Sequence, residues 1–177
     1  MPQPKFAAAS ALTVCGALAG GHVKDRTGQY TNLFTLAVAP SSSGKNDPMR
    51  SGIKIVQALE RSKILAGEVA SDSALEKLLQ YHPTRYLALD EVGDYLGSIK
   101  SAGQSNPYLR TVVPMFKKVW SSAGSTYVGK ARATDRGEGG KWREPVKIDS
   151  PCLSIYGTGA PSRLFDSMTE RDFDDGS

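Results

Sequence analysis

An apolar run, Leu33-Phe-Thr-Leu-Ala-Val38, breaks directly into Ala39-Pro-Ser-Ser-Ser-Gly-Lys-Asn46. No other stretch restricts the fold of this chain as strongly. A buried strand that ends in small residues and then meets Gly-Lys at the head of a helix has the layout of a phosphate-binding loop. Small side chains let backbone N–H groups converge on phosphate oxygens. The helix that follows directs its positive dipole end at them, and a lysine neutralises the outer phosphates. Gly44 and Lys45 suit these roles, and Pro40, Ser41, Ser42, Ser43, Gly44, Lys45, Asn46 and Asp47 are the candidate nucleotide-binding residues. The pattern departs from its full form at Ala39, where a first glycine is usual, and at Asn46, where a magnesium-binding Ser or Thr is expected. Taken alone, the stretch also reads as a polar turn before a helix.

Downstream, Tyr86-Leu-Ala-Leu-Asp90-Glu91 is a short hydrophobic strand ending in adjacent carboxylates. A strand delivers its last side chains to the sheet edge where ligands of open α/β sheets bind. There Asp90 is the candidate magnesium ligand, with Asn46 as a weaker amide partner, and Glu91 the candidate group that polarises an attacking water. Acidic strand ends also serve simply to solvate a turn. The two motifs in this order, Walker A then Walker B of a P-loop NTPase, point to binding of ATP or another nucleoside triphosphate with Mg2+.

With 177 residues, the chain suits one α/β domain, and 40% hydrophobic with 23% charged residues is ordinary for a globular protein. The net charge of +4 is informative only in its distribution. Lys130, Arg132, Arg136, Lys141, Arg143 and Lys147 cluster against only Asp135, Glu138 and Glu144, whereas the segment from Asp166 onward is acidic. Cys15 and Cys152, read as core thiols, fit a reducing compartment better than a disulfide framework. His22 and His82 have no Cys or His neighbours at metal-ligand spacing. The stretch Phe6 to Cys15 superficially resembles a lipoprotein signal, but Val14 is bulky beside the cysteine and the stretch is too short and alanine-rich to span a bilayer. A cytoplasmic protein without a transmembrane segment is expected.

Pro4 to Leu18 predicts an alanine-rich helix with Phe6, Leu12, Val14 and Leu18 available for burial, stopped by Gly20-Gly21. Leu33 to Val38 is the expected central strand, apolar on both faces. A helix carrying Pro48 in its first turn should run to about Arg61, burying Ile53, Val56 and Leu59. Ile64 to Val69 predicts a strand, and Ser71-Asp-Ser73 an N-cap for a helix closed before Pro83. Gly93 to Ser105 reads as a Gly/Ser-rich connector, and Pro107 to Trp120 as a helix broken near Thr111 by Pro114. Extended runs at Thr126–Ala133 and Lys141–Ile148, around a glycine-rich reversal, predict a β-hairpin before a final buried strand that starts at Pro151. The expected fold is a three-layer α/β sandwich with a mainly parallel central sheet and this hairpin as an insertion. A single core spans 1–177: leading helix and loop in 1–31, both nucleotide motifs in 32–122, and basic hairpin, late strand and acidic tail in 123–177.

In this order, the pieces resemble the ATPase domain of phage, plasmid and mobile-element primase-helicases. The resemblance rests on the alanine-rich leading helix, Thr31-Asn-Leu-Phe-Thr-Leu36, Ser41-Ser-Ser-Gly-Lys45, Leu87-Ala-Leu-Asp-Glu91 and Cys152-Leu-Ser-Ile-Tyr-Gly-Thr-Gly-Ala-Pro161. It implies catalytic roles for Lys45, Glu91 and Thr158, the last sensing the terminal phosphate. It also implies that single-stranded or forked DNA runs along the hairpin, contacted by Lys130, Arg132, Arg136, Lys141, Trp142 and Arg143. In the intact protein it implies a homo-oligomeric ring, such as a hexamer, in which a neighbour's arginine completes the site; the chain here reads as a fragment truncated at its C-terminus. The opposing expectation, supported by Ala39 and Asn46, is a catalytically weak DNA-binding or scaffold module.

Overall fold

The computed structural model describes residues 3–102, 107–131 and 144–168. Along them run α1 (Pro4–Ala19), β1 (Phe34–Val38), α2 (Asn46–Ala58), β2 (Leu65–Ala66), α3 (Asp72–Tyr81), β3 (Thr84–Leu89) and α4 (Val92–Ser101). There follow α5 (Val112–Ser121), β4 (Thr126–Val128), β5 (Lys147–Asp149), β6 (Cys152–Gly159) and α6 (Pro161–Asp166). Four strands form one sheet in the order β1-β6-β3-β2, every pairing parallel.

Alternation along the two interior strands builds a layer on each face. Tyr86 of β3 and Tyr156 of β6 pack with Val14, Ala17, Met49 and Val56 of α1 and α2. Leu87, Leu89, Leu153 and Ile155 pack on the other side with Leu75, Leu79, Val92, Tyr95, Val112 and Val119 of α3, α4 and α5. Fully burying a side chain of this size contributes roughly 1.5–3 kcal/mol, so two such clusters supply the main driving force. Residues 152–159 of β6 are all buried, the pattern of a parallel strand covered on both sides.

Strand β1, expected to be central, is not. β6 inserts between β1 and β3, which leaves β1 at the sheet edge with Phe34 41% and Leu36 46% exposed. An apolar run is the same in sequence whether its neighbour lies on one side or two, so only the crossover decides this. Helix α1 forms as expected but turns a different face inward: Leu12 is 63% exposed, while Ser10, Thr13, Gly16 and Ala17 are buried. Close approach explains the choice. A Cβ on Gly16 would stand 2.2 Å from the Thr31 carbonyl oxygen, and the Thr13 and Thr35 hydroxyls bond at 2.6 Å. Cys15 on the outer face is exposed, in contrast to the expected core thiol; Cys152 is buried, which pushes its thiol up to about 11.

Helix α2 stops at Ala58, and Leu59 is 54% exposed where burial was expected, because Glu60 turns the chain with a φ of 57°. The predicted strand over Ile64–Val69 shrinks to Leu65–Ala66. Ser71 caps α3 as expected, accepting from Ala74 N at 3.1 Å. The expected connector after Gly93 is instead helix α4, whose Val92, Tyr95 and Ile99 recur at helical spacing toward the core. Its glycines masked that period. Gly93 is required by packing, since a Cβ there would meet the Arg163 carbonyl carbon at 2.6 Å. The break near Thr111 is present: a 3-10 turn over Leu109–Thr111 precedes α5, with Pro114 in its first turn.

Strands β4 and β5 form a separate antiparallel ribbon in the register Thr126↔Asp149, Tyr127↔Ile148, Val128↔Lys147. Its connecting residues 132–143 lie outside the described residues. The ribbon's root is tied to α3, with the Tyr127 hydroxyl donating to Glu76 Oε1 at 2.8 Å and Lys130 Nζ to Asp72 Oδ2 at 3.1 Å. Among the described residues no helix is long and apolar enough to cross a membrane.

Two glycines of α4 separate close packing from helix propensity. Gly93→Ala should lower unfolding free energy by about 1–3 kcal/mol, because the backbone it meets must move. Gly97, with nothing within 4 Å of its would-be Cβ, should gain up to about 1 kcal/mol on substitution by Ala. Denaturant titration of both variants checks the pair, and equal effects would contradict the α4–α6 packing.

Candidate functional site

The site is assembled at the C-terminal ends of three adjacent strands. Because β6 lies between β1 and β3, the loop after β1 and the acidic pair after β3 flank the end of β6. Register places Thr158 beside Ala37 and Gly157 beside Leu89, so Thr158 emerges between the two motifs. Its hydroxyl, fully buried, donates to Asp90 Oδ1 at 2.6 Å. From the other side the Asn46 amide donates to both Asp90 oxygens at 3.0 Å. The Glu91 N–H adds a third donor to Asp90 Oδ1 at 3.0 Å. A carboxylate held by several donors is fixed in direction.

Lys45, 5% exposed, brings its ammonium within 3.4 Å of Glu91 Oε1. Glu91 is half-exposed and has left-handed backbone, φ 46° and ψ 54°, a conformation costing a non-glycine residue about 1 kcal/mol or more. The loop between Lys45 and β1 turns through two further left-handed residues, Ser42 at φ 64° and Gly44 at φ 79°; only the second, lacking a Cβ, adopts it without steric cost. Ser43 N donates to Pro40 O at 3.3 Å, whereas the N–H groups of Gly44, Lys45 and Asn46 have no hydrogen-bond partner among the described residues. These groups sit at the N-terminus of α2, where helix geometry leaves donors unsatisfied and the dipole favours an anion. Ser41 to Asn46, together with Glu91, line a cavity of about 260 Å³.

Two polar atoms at this cavity are orphaned: Ser43 Oγ and Asn46 Oδ1 are buried without a hydrogen-bond partner. An unmade hydrogen bond of a buried group costs roughly 1–3 kcal/mol, so both oxygens call for a partner that the protein itself does not provide. Asn46 spends its amide N–H groups on Asp90, which leaves its oxygen available to a hard cation. Asp90, Glu91 and Lys45 together leave a net negative charge at the rim. That balance opposes a bare polyphosphate and favours its magnesium complex. Among the described residues no cluster of three His, Cys, Asp or Glu side chains could hold a metal alone, so any ion here would draw ligands from Asp90, Asn46 and the phosphates.

The structure therefore brings together Lys45, Asn46, Asp90, Glu91 and Thr158 from three segments. It does not bring Asp47, expected among the nucleotide-binding residues, to the cavity; Asp47 lines a neighbouring cleft. Of the hairpin residues expected at DNA, Lys130 is engaged with Asp72, and Arg132, Arg136, Lys141, Trp142 and Arg143 lie outside the described residues. Lys118, though exposed, donates to Val128 O at 2.9 Å and lies over the Tyr127 ring at 4.8 Å. Sequence reading missed the bond between Asn46 and Asp90; an amide at a position calling for a hydroxyl was its signal. No protein-family model matches the chain, and no curated protein matches it significantly.

Removing the hydroxyl from the buried end of β6 tests how Asp90 is held. Thr158→Val keeps the volume and should lower stability by about 1–2 kcal/mol, the solvent-exposed carboxylate limiting the loss. Thr158→Ser should restore most of it. Thermal and urea unfolding check the pair, and an unchanged Thr158→Val would remove the bond from the account.

Proposed function

We propose that this chain is a P-loop nucleoside-triphosphatase module that binds ATP with Mg2+ and hydrolyses it, serving a DNA helicase or primase-helicase of a mobile element. The observation that carries the nucleotide reading is the convergence of Lys45, Asn46, Asp90, Glu91 and Thr158 around a loop with unpaired N–H groups. The helicase assignment rests on the resemblance of the ordered motifs.

In this reading, the N–H groups of Gly44, Lys45 and Asn46 hold the phosphate oxygens. The Lys45 ammonium leaves Glu91 to neutralise charge on the transferring phosphoryl group. Asp90 and Asn46 Oδ1 hold Mg2+, which when bound offsets charge on the outer phosphates. Glu91, released from Lys45, accepts a proton from the attacking water, and Thr158 donates toward the terminal phosphate in place of Asp90. Lys45 and Glu91 thus satisfy each other without nucleotide and take up separate tasks with it.

The test is a titration of magnesium-ATP against wild type, Lys45→Ala and Glu91→Gln. Lys45→Ala should abolish measurable binding. Glu91→Gln should bind at least as tightly as wild type, since the ammonium loses its carboxylate partner, but release phosphate at least about a hundredfold more slowly. Binding untouched by Lys45→Ala would refute the reading. Wild-type turnover itself should be slow, because an arginine from a neighbouring subunit contributes on the order of a thousandfold or more. Binding with no wild-type hydrolysis under any assembly state would favour the alternative scaffold module.

The DNA contact is proposed for the ribbon between β4 and β5, through Arg132, Arg136, Lys141 and Arg143 with Trp142 stacking on a base. The ion pair of Lys130 with Asp72 makes Lys130 a weaker contributor than its charge suggests. Charge reversal at Arg132 and Lys141 should weaken single-strand binding and flatten its salt dependence by about one unit of slope per lost phosphate contact. Unchanged affinity across salt would retire the contact.

A further inference from the structure

A second, larger cavity of about 540 Å³ lies between α1 and α2. Ala7, Ala11 and Val14 form one wall and Pro48, Gly52 and Ile55 the other, so the lining is mostly apolar and small. The cleft is continuous in residues with the phosphate-loop cavity, for Gly44 lines both. Asp47, one step into α2, stands where the two meet. The width is maintained by a specific bond, Ser10 Oγ to Pro48 O at 2.7 Å, which spaces the helices.

Close packing backs the cleft. A Cβ on Gly52 would stand 3.0 Å from the Tyr86 hydroxyl, from Ser10 Oγ and from Val14 Cγ2, so glycine is what lets α2 sit this near α1 and the sheet. Tyr86 is fully buried, and its hydroxyl lies beside Ser10 without completing a well-formed hydrogen bond. A mostly apolar slot that shares Gly44 with the loop of unpaired N–H groups fits a ligand with a flat ring at one end and phosphates at the other.

We infer that this cleft receives the purine nucleoside of the nucleotide whose phosphates occupy the loop. The inference rests on the nucleotide reading above. The ring lies between the Ala7–Ala11 wall and the Pro48–Gly52 wall, where burial of its faces supplies affinity. The Asp47 carboxylate is the acceptor nearest the junction, at the level of the ribose hydroxyls. Helix α1, which makes no contact with the phosphate-loop cavity, thereby becomes part of the binding site.

Calorimetry of the full chain with two probes, magnesium-ATP and magnesium-tripolyphosphate, separates ring from phosphates. Ala11→Phe and Ser51→Phe fill the slot from opposite walls at exposed helix positions. Each should weaken ATP about tenfold or more relative to wild type while leaving tripolyphosphate affinity unchanged. Retained tripolyphosphate binding also shows that the variants are folded. ATP affinity unaltered in both variants, with Lys45→Ala still losing both ligands, would overturn the cleft and leave the loop reading intact. Equal weakening of ATP and tripolyphosphate would also overturn it. Lys45→Ala without effect on tripolyphosphate would sink the loop reading, and the cleft with it.

Discussion

The Asp90 carboxylate is the point through which the rest of the site is coordinated. It accepts from an amide on the helix after β1, from a hydroxyl at the end of β6 and from the backbone of its own turn. Three segments distant in sequence are thereby referenced to one anion. The sheet order makes this possible: with β6 between β1 and β3, the two loops are spaced by one strand, about 10 Å apart, close enough for side chains to meet across Thr158. Had β1 paired directly with β3, no third group would stand between them.

Electrostatics and backbone strain act together next to that point. Lys45 is almost wholly buried, and a buried ammonium needs a partner; Glu91 provides it from a left-handed residue that would relax if it could. The ion pair is half-exposed on the glutamate side, so its strength is modest. Two orphaned oxygens, at Ser43 and Asn46, point the same way: the site carries polar groups whose cost folding alone does not offset. Such costs are characteristic of sites completed by a ligand.

Packing of the surrounding layers sets how far the site extends. Helix α1 approaches the sheet through Ser10, Thr13, Gly16 and Ala17, and this small-residue face brings it close enough to α2 to leave a defined slot instead of a filled seam. The same choice sends Leu12 outward. On the opposite face, Gly93 lets α4 start immediately after Glu91, against the backbone of α6, so that the acidic pair ends in a rigid helix.

What could be read from the residues themselves was local. The strand–loop–Gly-Lys order, the strand ending in Asp-Glu, the Ser71 cap and the break before Val112 each depend on neighbours in sequence, where backbone sterics and capping chemistry act. The short hydrophobic run of β3 and the buried strand expected from Pro151 also announced an α/β fold with a mainly parallel sheet. Long-range geometry was not legible. That β1 sits at an edge, that Cys15 and Leu12 face outward, that Asn46 bonds Asp90 and that Lys130 is held by Asp72 all follow from which strand slots beside which. The glycines of α4 read as a loop, and the reason for Gly93, close approach to Arg163, exists only after folding. Sequence pattern determined the elements and the chemistry they carry. Tertiary structure decided their neighbours, because an apolar surface specifies that it must be buried but not against what.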